Sequence, residues 1–204
     1  MVTILVTLAF LSHNSGSGTM PPAAYTAKSD LIDDKGIGGW NPSLNSSWTL
    51  KDVAVEAKGL SIVVKKNSCC GPGGSCSMIV ILANGTPEPV WLSACDSRLN
   101  LGREARDSAG VWRPIEYRAP SDCLNSYHLV ALGSNRAWTW DVPATTGSFA
   151  TKCRYVLSGL EKPVVSAEFD AKIDPMTFSV PEHWINDFEL KSDGSLVPLS
   201  LIHI

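Results

Sequence analysis

Short apolar runs separated by turn residues are the feature of this sequence that most constrains its fold. From Val80 to Tyr155 they recur at a spacing of roughly 8–12 residues and are bounded by Gly, Asn, Asp and Pro. The clearest turn signals are Asn84-Gly85-Thr86, Asp107 to Gly110 and Thr145 to Gly147. Such spacing is typical of β-sandwiches and barrels. We therefore predict an all-β chain folded as an antiparallel sandwich.

Two hydrophobic patterns distinguish the predicted strands. Ser77 to Leu82 is a nearly continuous apolar run, which indicates a central strand covered on both faces. By contrast, Trp138, Trp140 and Val142 alternate with polar residues, which indicates one buried face and one solvated face. The long alternating stretch from Phe149 to Leu157 predicts another central strand.

Length and composition indicate one soluble globular domain with irregular ends. The chain has 204 residues, of which 44% are hydrophobic and 18% charged, with a net charge of −3. We expect the sandwich at 48–174, preceded by an extended lead-in at 20–47 outside the core and followed at 175–204 by a tail that packs on it. Because Lys and Arg are scattered, we expect no nucleic-acid partner.

The first 19 residues are a candidate signal or disordered segment. Met1 to Phe10 is almost wholly apolar, but no Lys or Arg precedes Lys28, so a first strand or buried tail is the alternative. The apolar run is shorter than the roughly 20 residues that a membrane-spanning helix needs, so we expect no membrane span in the mature chain. The predicted location is secreted, cell-surface or periplasmic.

Six cysteines favour an oxidising compartment and a disulfide-bonded fold, although six allow about 15 pairings. The preferred local bridge joins Cys70 to Cys76 across a Gly-Pro loop, or uses Cys69 in place of Cys70. The candidate disulfide residues are Cys69, Cys70, Cys76, Cys95, Cys123 and Cys153.

Strong catalytic or metal motifs do not occur in the sequence. It has no phosphate-binding Gly loop, no His-Glu-x-x-His, no Gly-x-Ser-x-Gly and no Cys-x-x-Cys. The four histidines lack metal-ligand spacing, and we expect no metal or cofactor. Asp96, Glu104 and Glu116 are interpreted as members of cross-strand ion pairs with nearby arginines on a solvated face, rather than as a calcium site.

The segment from Ser121 to His128 combines Ser, Asp, Asn, Tyr and His. A His near a carboxylate can act as a general base, so Asp122 to His128 could serve a hydrolase. Asp, Asn and Ser are also common turn formers. Three interpretations stay open here: a catalytic loop, a ligand-contacting loop that includes Tyr127 and His128, and a structural turn.

Seven tryptophans are many for this length, and exposed aromatic rings can stack on sugars. Trp112, Tyr117, Trp138, Trp140 and Trp184 could form such a platform. The alternative is that these aromatics fill the core, as the alternation around Trp138 favours. The predicted ligand-binding residues are Trp112, Tyr117, Tyr127, His128 and Trp184.

The order of Asn84-Gly85-Thr86, Pro89-Val90-Trp91-Leu92 and Gly110-Val111-Trp112-Arg113 resembles the immunoglobulin-like and fibronectin-III-like sandwiches of exported bacterial proteins. The resemblance covers about half the chain. It implies an immunoglobulin-like sandwich with a role in binding, adhesion or spacing. Cys95, Trp112 and Cys153 offer a loose version of the antibody-type Cys, Trp, Cys arrangement.

The predicted function is therefore a non-catalytic binding or adhesion module whose partner is a protein or glycan at a cell surface. One alternative is a hydrolase that uses the loop from Asp122 to His128. Another is a purely structural, self-assembling component.

Overall fold

The structure is a computed structural model that describes residues 25–31, 43–66, 77–117 and 126–179, together with the backbone of two short strands at 188–190 and 196–198. A short 3-10 helix covers Pro175–Phe178. The strands are β1 (Trp48–Thr49), β2 (Leu60–Lys66), β3 (Ser77–Asn84), β4 (Val90–Cys95), β5 (Arg98–Leu99), β6 (Leu101–Arg106), β7 (Trp112–Pro114), β8 (Tyr127–Leu132), β9 (Arg136–Pro143), β10 (Phe149–Leu157), β11 (Val164–Val165), β12 (Phe169–Ile173), β13 (Phe188–Leu190) and β14 (Leu196–Pro198).

These strands form the predicted all-β sandwich from antiparallel sheets. A four-stranded sheet has the order β1-β9-β3-β2 and lies on one side of the main core. A three-stranded sheet (β5-β4-β8) and a five-stranded sheet (β11-β10-β6-β7, with β12 beside β10) supply the opposite side. Strands β13 and β14 pair with each other.

Strand β3 is central and covered on both faces, as its unbroken apolar run predicts. Val80 and Leu82 lie in the main core between the sheets. Ile81 and Ala83 point to the other side of the sheet, where the segment from Leu50 to Ala57 packs on them. Because neither face meets water, the polar alternation of a half-exposed strand is absent.

Strand β9 shows the predicted inward face. Trp138 and Trp140 are buried in the main core, and their indole N–H groups donate hydrogen bonds of 3.0 Å to the Lys28 carbonyl and 2.8 Å to the Thr26 carbonyl. A buried indole N–H needs such a partner. The segment 25–31 is therefore held against β9 by the two core tryptophans.

This segment departs from our expectation that residues 20–47 lie outside the core. Tyr25 and Ala27 are fully buried in the main core. Two backbone hydrogen bonds tie the segment to the three-stranded sheet, from the Ala27 N–H to the Ser97 carbonyl and from the Leu99 N–H to the Tyr25 carbonyl. The segment lacks a recognisable strand pattern because it pairs with its neighbours only at isolated positions.

The two cysteines within the described ranges do not form a disulfide. Cys95 ends β4 in the three-stranded sheet, and Cys153 lies in β10 of the five-stranded sheet; both are buried free thiols. Both residues were expected to be disulfide-bonded, but in the described part of the chain each is a free thiol, and Cys153 packs in a small apolar cluster with Ala105 and Ile173. The other predicted candidates, Cys69, Cys70, Cys76 and Cys123, lie outside the described residues.

Candidate functional site

The outer face of strands β4 and β8 carries exposed apolar side chains. Side chains alternate along β4, so Leu92 and Ala94 enter the core while Trp91 and Ser93 point outward. On β8, Val130 and Leu132 point inward, and Tyr127 and Leu129 point outward. Trp91 is 39% exposed and Leu129 is 43% exposed. We call Trp91, Ser93, Tyr127 and Leu129 the β4–β8 face.

Register makes this face continuous. Ser93 pairs with Leu129, and Trp91 pairs with Ala131, so Leu129 is the diagonal neighbour of Trp91 across the sheet. Diagonal neighbours of this kind lie within reach of an aromatic side chain. An indole ring and an aliphatic side chain therefore stand side by side on an open sheet surface.

A third exposed apolar residue, Leu31, follows the residues that bind the edge of β8. The Asp30 N–H donates to the Ala131 carbonyl at 2.9 Å, and the Ala131 N–H donates to the Ser29 hydroxyl at 2.8 Å. The Asp30 carboxylate also accepts from the Gly133 N–H at 2.8 Å. These bonds fix Leu31, which is 41% exposed, at the border of the β4–β8 face.

The predicted pair Tyr127 and His128 is split between the two faces of β8. Tyr127 lies on the β4–β8 face, whereas His128 points to the core side at its margin. The His128 Nδ1 lies 3.0 Å from the Ser126 carbonyl and carries the proton of this hydrogen bond, since a carbonyl oxygen only accepts. This contact holds the ring against the start of its own strand. Asp122 lies outside the described residues.

Trp112 lies on the outer face of the five-stranded sheet, whereas β8 belongs to the three-stranded sheet. Two guanidinium groups approach its ring, that of Arg154 at 4.2 Å and that of Arg106 at 4.6 Å from the ring centroid. Both arginines also pair with carboxylates, Glu104 at 2.8 Å and Glu168 at 3.0 Å. The π system of Trp112 is therefore already engaged by cations.

The remaining members of the predicted aromatic platform do not join Trp112. Trp138 and Trp140 are core residues, and Tyr117 is buried with its hydroxyl donating to the Phe178 carbonyl at 3.0 Å. Burial raises the pKa of Tyr117 to about 12. Trp184 lies outside the described residues. Among the described residues the predicted sugar-stacking platform is not assembled, because strand alternation turns Trp138 and Trp140 into the core and Tyr117 is buried.

A buried ionic cluster lies inside the sandwich. The Arg103 Nη2 is 3.2 Å from the Glu116 carboxylate and 3.3 Å from the Pro143 carbonyl, and both charged side chains are almost fully buried. The Tyr25 hydroxyl donates to Glu116 at 2.9 Å, and the Arg103 backbone N–H donates at 3.1 Å. The Arg103 guanidinium lies 5.3 Å from the centre of the Tyr155 ring.

Electrostatics in this cluster reflect burial and charge pairing together. Burial raises the pKa of Glu116, and the nearby Arg103 charge and the Tyr25 hydroxyl oppose that rise. Burial alone would lower the pKa of Arg103, but Glu116 and the neighbouring tyrosines raise it. Our prediction of solvated ion pairs is wrong for Arg103 and Glu116. Side chains alternate along β6, so Arg103 points inward while its neighbour Glu104 points outward. The cluster joins five segments of the chain, which contribute Tyr25, Arg103, Glu116, Pro143 and Tyr155.

The sequence contains two Asn-x-Ser/Thr triplets, the acceptor pattern for N-glycosylation, at Asn45-Ser46-Ser47 and Asn84-Gly85-Thr86. The Asn84 amide donates to the carbonyls of Glu88, Leu132 and Gly133. The Asn45 amide donates to the carbonyls of Thr26 and Thr139. In the folded chain these amide nitrogens are therefore committed to backbone acceptors.

No family model and no curated protein sequence matches this chain. Among the described residues, no helix has the length and apolar character needed to cross a membrane. The same residues contain no group of three or more His, Cys, Asp or Glu side chains arranged to hold a metal ion.

Sequence reasoning missed Trp91 and Leu129 as surface residues. In β4 the sequence did carry a signal, because side chains alternate along a strand. Val90 and Leu92 share one face, and Trp91 shares the other with the polar Ser93. On β8, every residue from Leu129 to Leu132 is apolar, so the side chains of both strand faces look alike in the sequence. The sequence therefore does not show that Leu129 is the exposed one.

Proposed function

We propose that this chain is a non-catalytic protein-binding module, outside the cell or at its surface, and that the β4–β8 face with Leu31 is its contact surface. The observation that carries the proposal is the side-by-side exposure of Trp91 and Leu129 on an otherwise regular sheet. Tryptophan is the residue most enriched among the side chains that dominate interface energetics, and a neighbouring apolar side chain completes a dry contact.

The chemistry of this face favours a protein over a glycan. Leu31 and Leu129 offer apolar area but no side-chain hydrogen-bonding group, whereas sugar recognition needs polar groups beside the aromatic ring. Ser93 and Tyr127 each supply one hydroxyl on the same face. A partner that presents its own apolar side chains therefore matches this surface better.

A peptide-display library screened in parallel with a glycan array tests the proposal. We expect selected peptides rich in apolar residues, and we expect Leu129→Asp to abolish their binding because it places a charge beside Trp91. The matched control is Met176→Asp, since Met176 is 58% exposed on the 3-10 helix, away from β4 and β8.

The proposal is overturned if ligands bind Leu129→Asp and the unmodified chain equally well. Binding of glycans alone, abolished by Trp91→Ala, would replace it with a carbohydrate-binding function. Circular dichroism of each variant confirms that the sandwich is intact before binding is compared.

A further inference from the structure

Asn84, at the end of β3, is held by hydrogen bonds at both ends of its side-chain amide. The residue is fully buried, and its Nδ2 donates to the carbonyls of Glu88, Leu132 and Gly133 at 2.9, 3.0 and 3.0 Å. Its Oδ1 accepts from the Thr86 N–H at 3.0 Å and from the Thr86 hydroxyl at 2.7 Å. The fold therefore requires an amide here, because a carboxylate has no N–H to offer the three carbonyls.

The next residue, Gly85, is constrained by its surroundings as well. A Cβ at this position would lie 1.9 Å from the carbonyl oxygen of Ala57, so a residue with a side chain cannot replace it unless the backbone moves. The Gly85 N–H donates to the Gly59 carbonyl at 3.1 Å. Close packing thus requires the dipeptide Asn-Gly at this point, and it occurs nowhere else in the sequence.

An Asn-Gly pair is prone to deamidation. When base removes the proton of the Gly85 N–H, the nitrogen can attack the Asn84 Cγ, the Cγ–Nδ2 bond breaks, and ammonia leaves. Water then opens the resulting cyclic imide at one of its two carbonyls to give aspartate or isoaspartate. Glycine permits this attack because it has no Cβ to obstruct it. Base and water are the only co-reactants that the reaction needs.

The folded chain restrains both reacting atoms. The proton that must leave the Gly85 nitrogen is engaged by the Gly59 carbonyl. The Asn84 amide cannot turn its Cγ toward that nitrogen without breaking its bonds to Thr86 and Leu132. Unfolding removes both restraints at once, and a stable domain is unfolded for only a small fraction of the time.

We propose that Asn84 is a deamidation site that is closed in the folded chain and opens on unfolding, and that the deamidated chain cannot regain the fold. A buried carboxylate at this position would face three carbonyl oxygens and leave them without a donor. Isoaspartate would in addition lengthen the main chain by one methylene where Asn84 pairs with Leu60 and Arg136. Each unfolding event therefore exposes the chain to an irreversible loss of its native state.

Incubation of the full chain in mildly alkaline buffer, with and without guanidinium chloride, tests the closed state. Peptide mapping by mass spectrometry measures deamidation at Asn84. We expect the folded chain to react at least about a hundredfold more slowly than the unfolded chain, because a fraction of roughly 10⁻³ or less of a stable domain is unfolded. Gly147→Ala, whose Cβ would overlap the Ile173 backbone, should accelerate the reaction without denaturant by raising that fraction.

Refolding by dilution tests the fate of the product. Molecules deamidated at Asn84 should be missing from the folded fraction separated by size-exclusion chromatography. Asn84→Asp should lose the fold or unfold at a much lower urea concentration. The matched control Asn135→Asp makes the same change at an exposed turn residue and should leave the urea midpoint nearly unchanged. Equal deamidation rates in the folded and unfolded chains, a rate indifferent to Gly147→Ala, or refolding of the deamidated chain would each overturn the proposal.

Discussion

Replacing the buried Arg103 with methionine should destabilise the fold in a manner that depends on pH. The change removes the cation that lies 3.2 Å from the Glu116 carboxylate, in a site where neither side chain has appreciable access to water. Removing one partner of a buried ion pair costs about 3–5 kcal/mol, because the remaining charge is left without compensation. We expect a loss of this size in the free energy of unfolding near neutral pH.

Glu116 can escape that cost by binding a proton. Burial already raises its pKa, and Arg103 is the strongest influence opposing the rise, so Arg103→Met raises the pKa further. A carboxyl group whose folded pKa is raised contributes stability that is complete below its unfolded pKa and is lost as the pH rises through the folded value. The penalty of Arg103→Met should therefore shrink on acidification, by up to about 1.4 kcal/mol per pH unit.

Urea unfolding followed by tryptophan fluorescence measures this effect, since Trp138 and Trp140 lie in the core. The control is the double variant Arg103→Met with Glu116→Gln, which keeps an acceptor for the Tyr25 hydroxyl. Its stability relative to the unmodified chain should vary less with pH than that of the single variant. A penalty that is constant with pH, or that grows in acid, would refute the reasoning.

Two further predictions concern burial and close packing. Cys153 should resist alkylation by iodoacetamide until the chain is unfolded in urea, because the thiol is buried and burial raises its pKa to about 11. Intact mass measures the labelling, and labelling of Cys153 in the folded chain would contradict this prediction. Gly147→Ala should lower the free energy of unfolding by about 1–3 kcal/mol, measured as a lower urea midpoint, since a Cβ there would overlap the Ile173 backbone. The matched control Gly102→Ala has open space around its Cβ and should leave the midpoint nearly unchanged.

The candidate site could be predicted only in part. Tyr127 belongs to the predicted ligand-binding set and does lie on the β4–β8 face. Trp112 was expected to stack on a ligand, but Arg106 and Arg154 already occupy its ring. Residues far apart in sequence make that contact, so alternation along β7 could not reveal it. Leu31 lies beside β8 because the Asp30 backbone N–H bonds to the Ala131 carbonyl. A hydrophobic pattern in the sequence does not predict such a bond.

The sequence by itself determined the class of fold and the position of most strands. Apolar runs, period-two alternation and turn residues are local properties. The apolar run places β3, and the alternation places β9 and β10 and points Trp138 and Trp140 inward. Tertiary structure alone decided which distant segment covers each outward face and which face stays open. The outward face of β3 is buried under Leu50 to Ala57, whereas that of β4 and β8 is open, because burial depends on which distant segment packs there. The same physical reason explains why Arg103 and Glu116 form a buried pair instead of a solvated one.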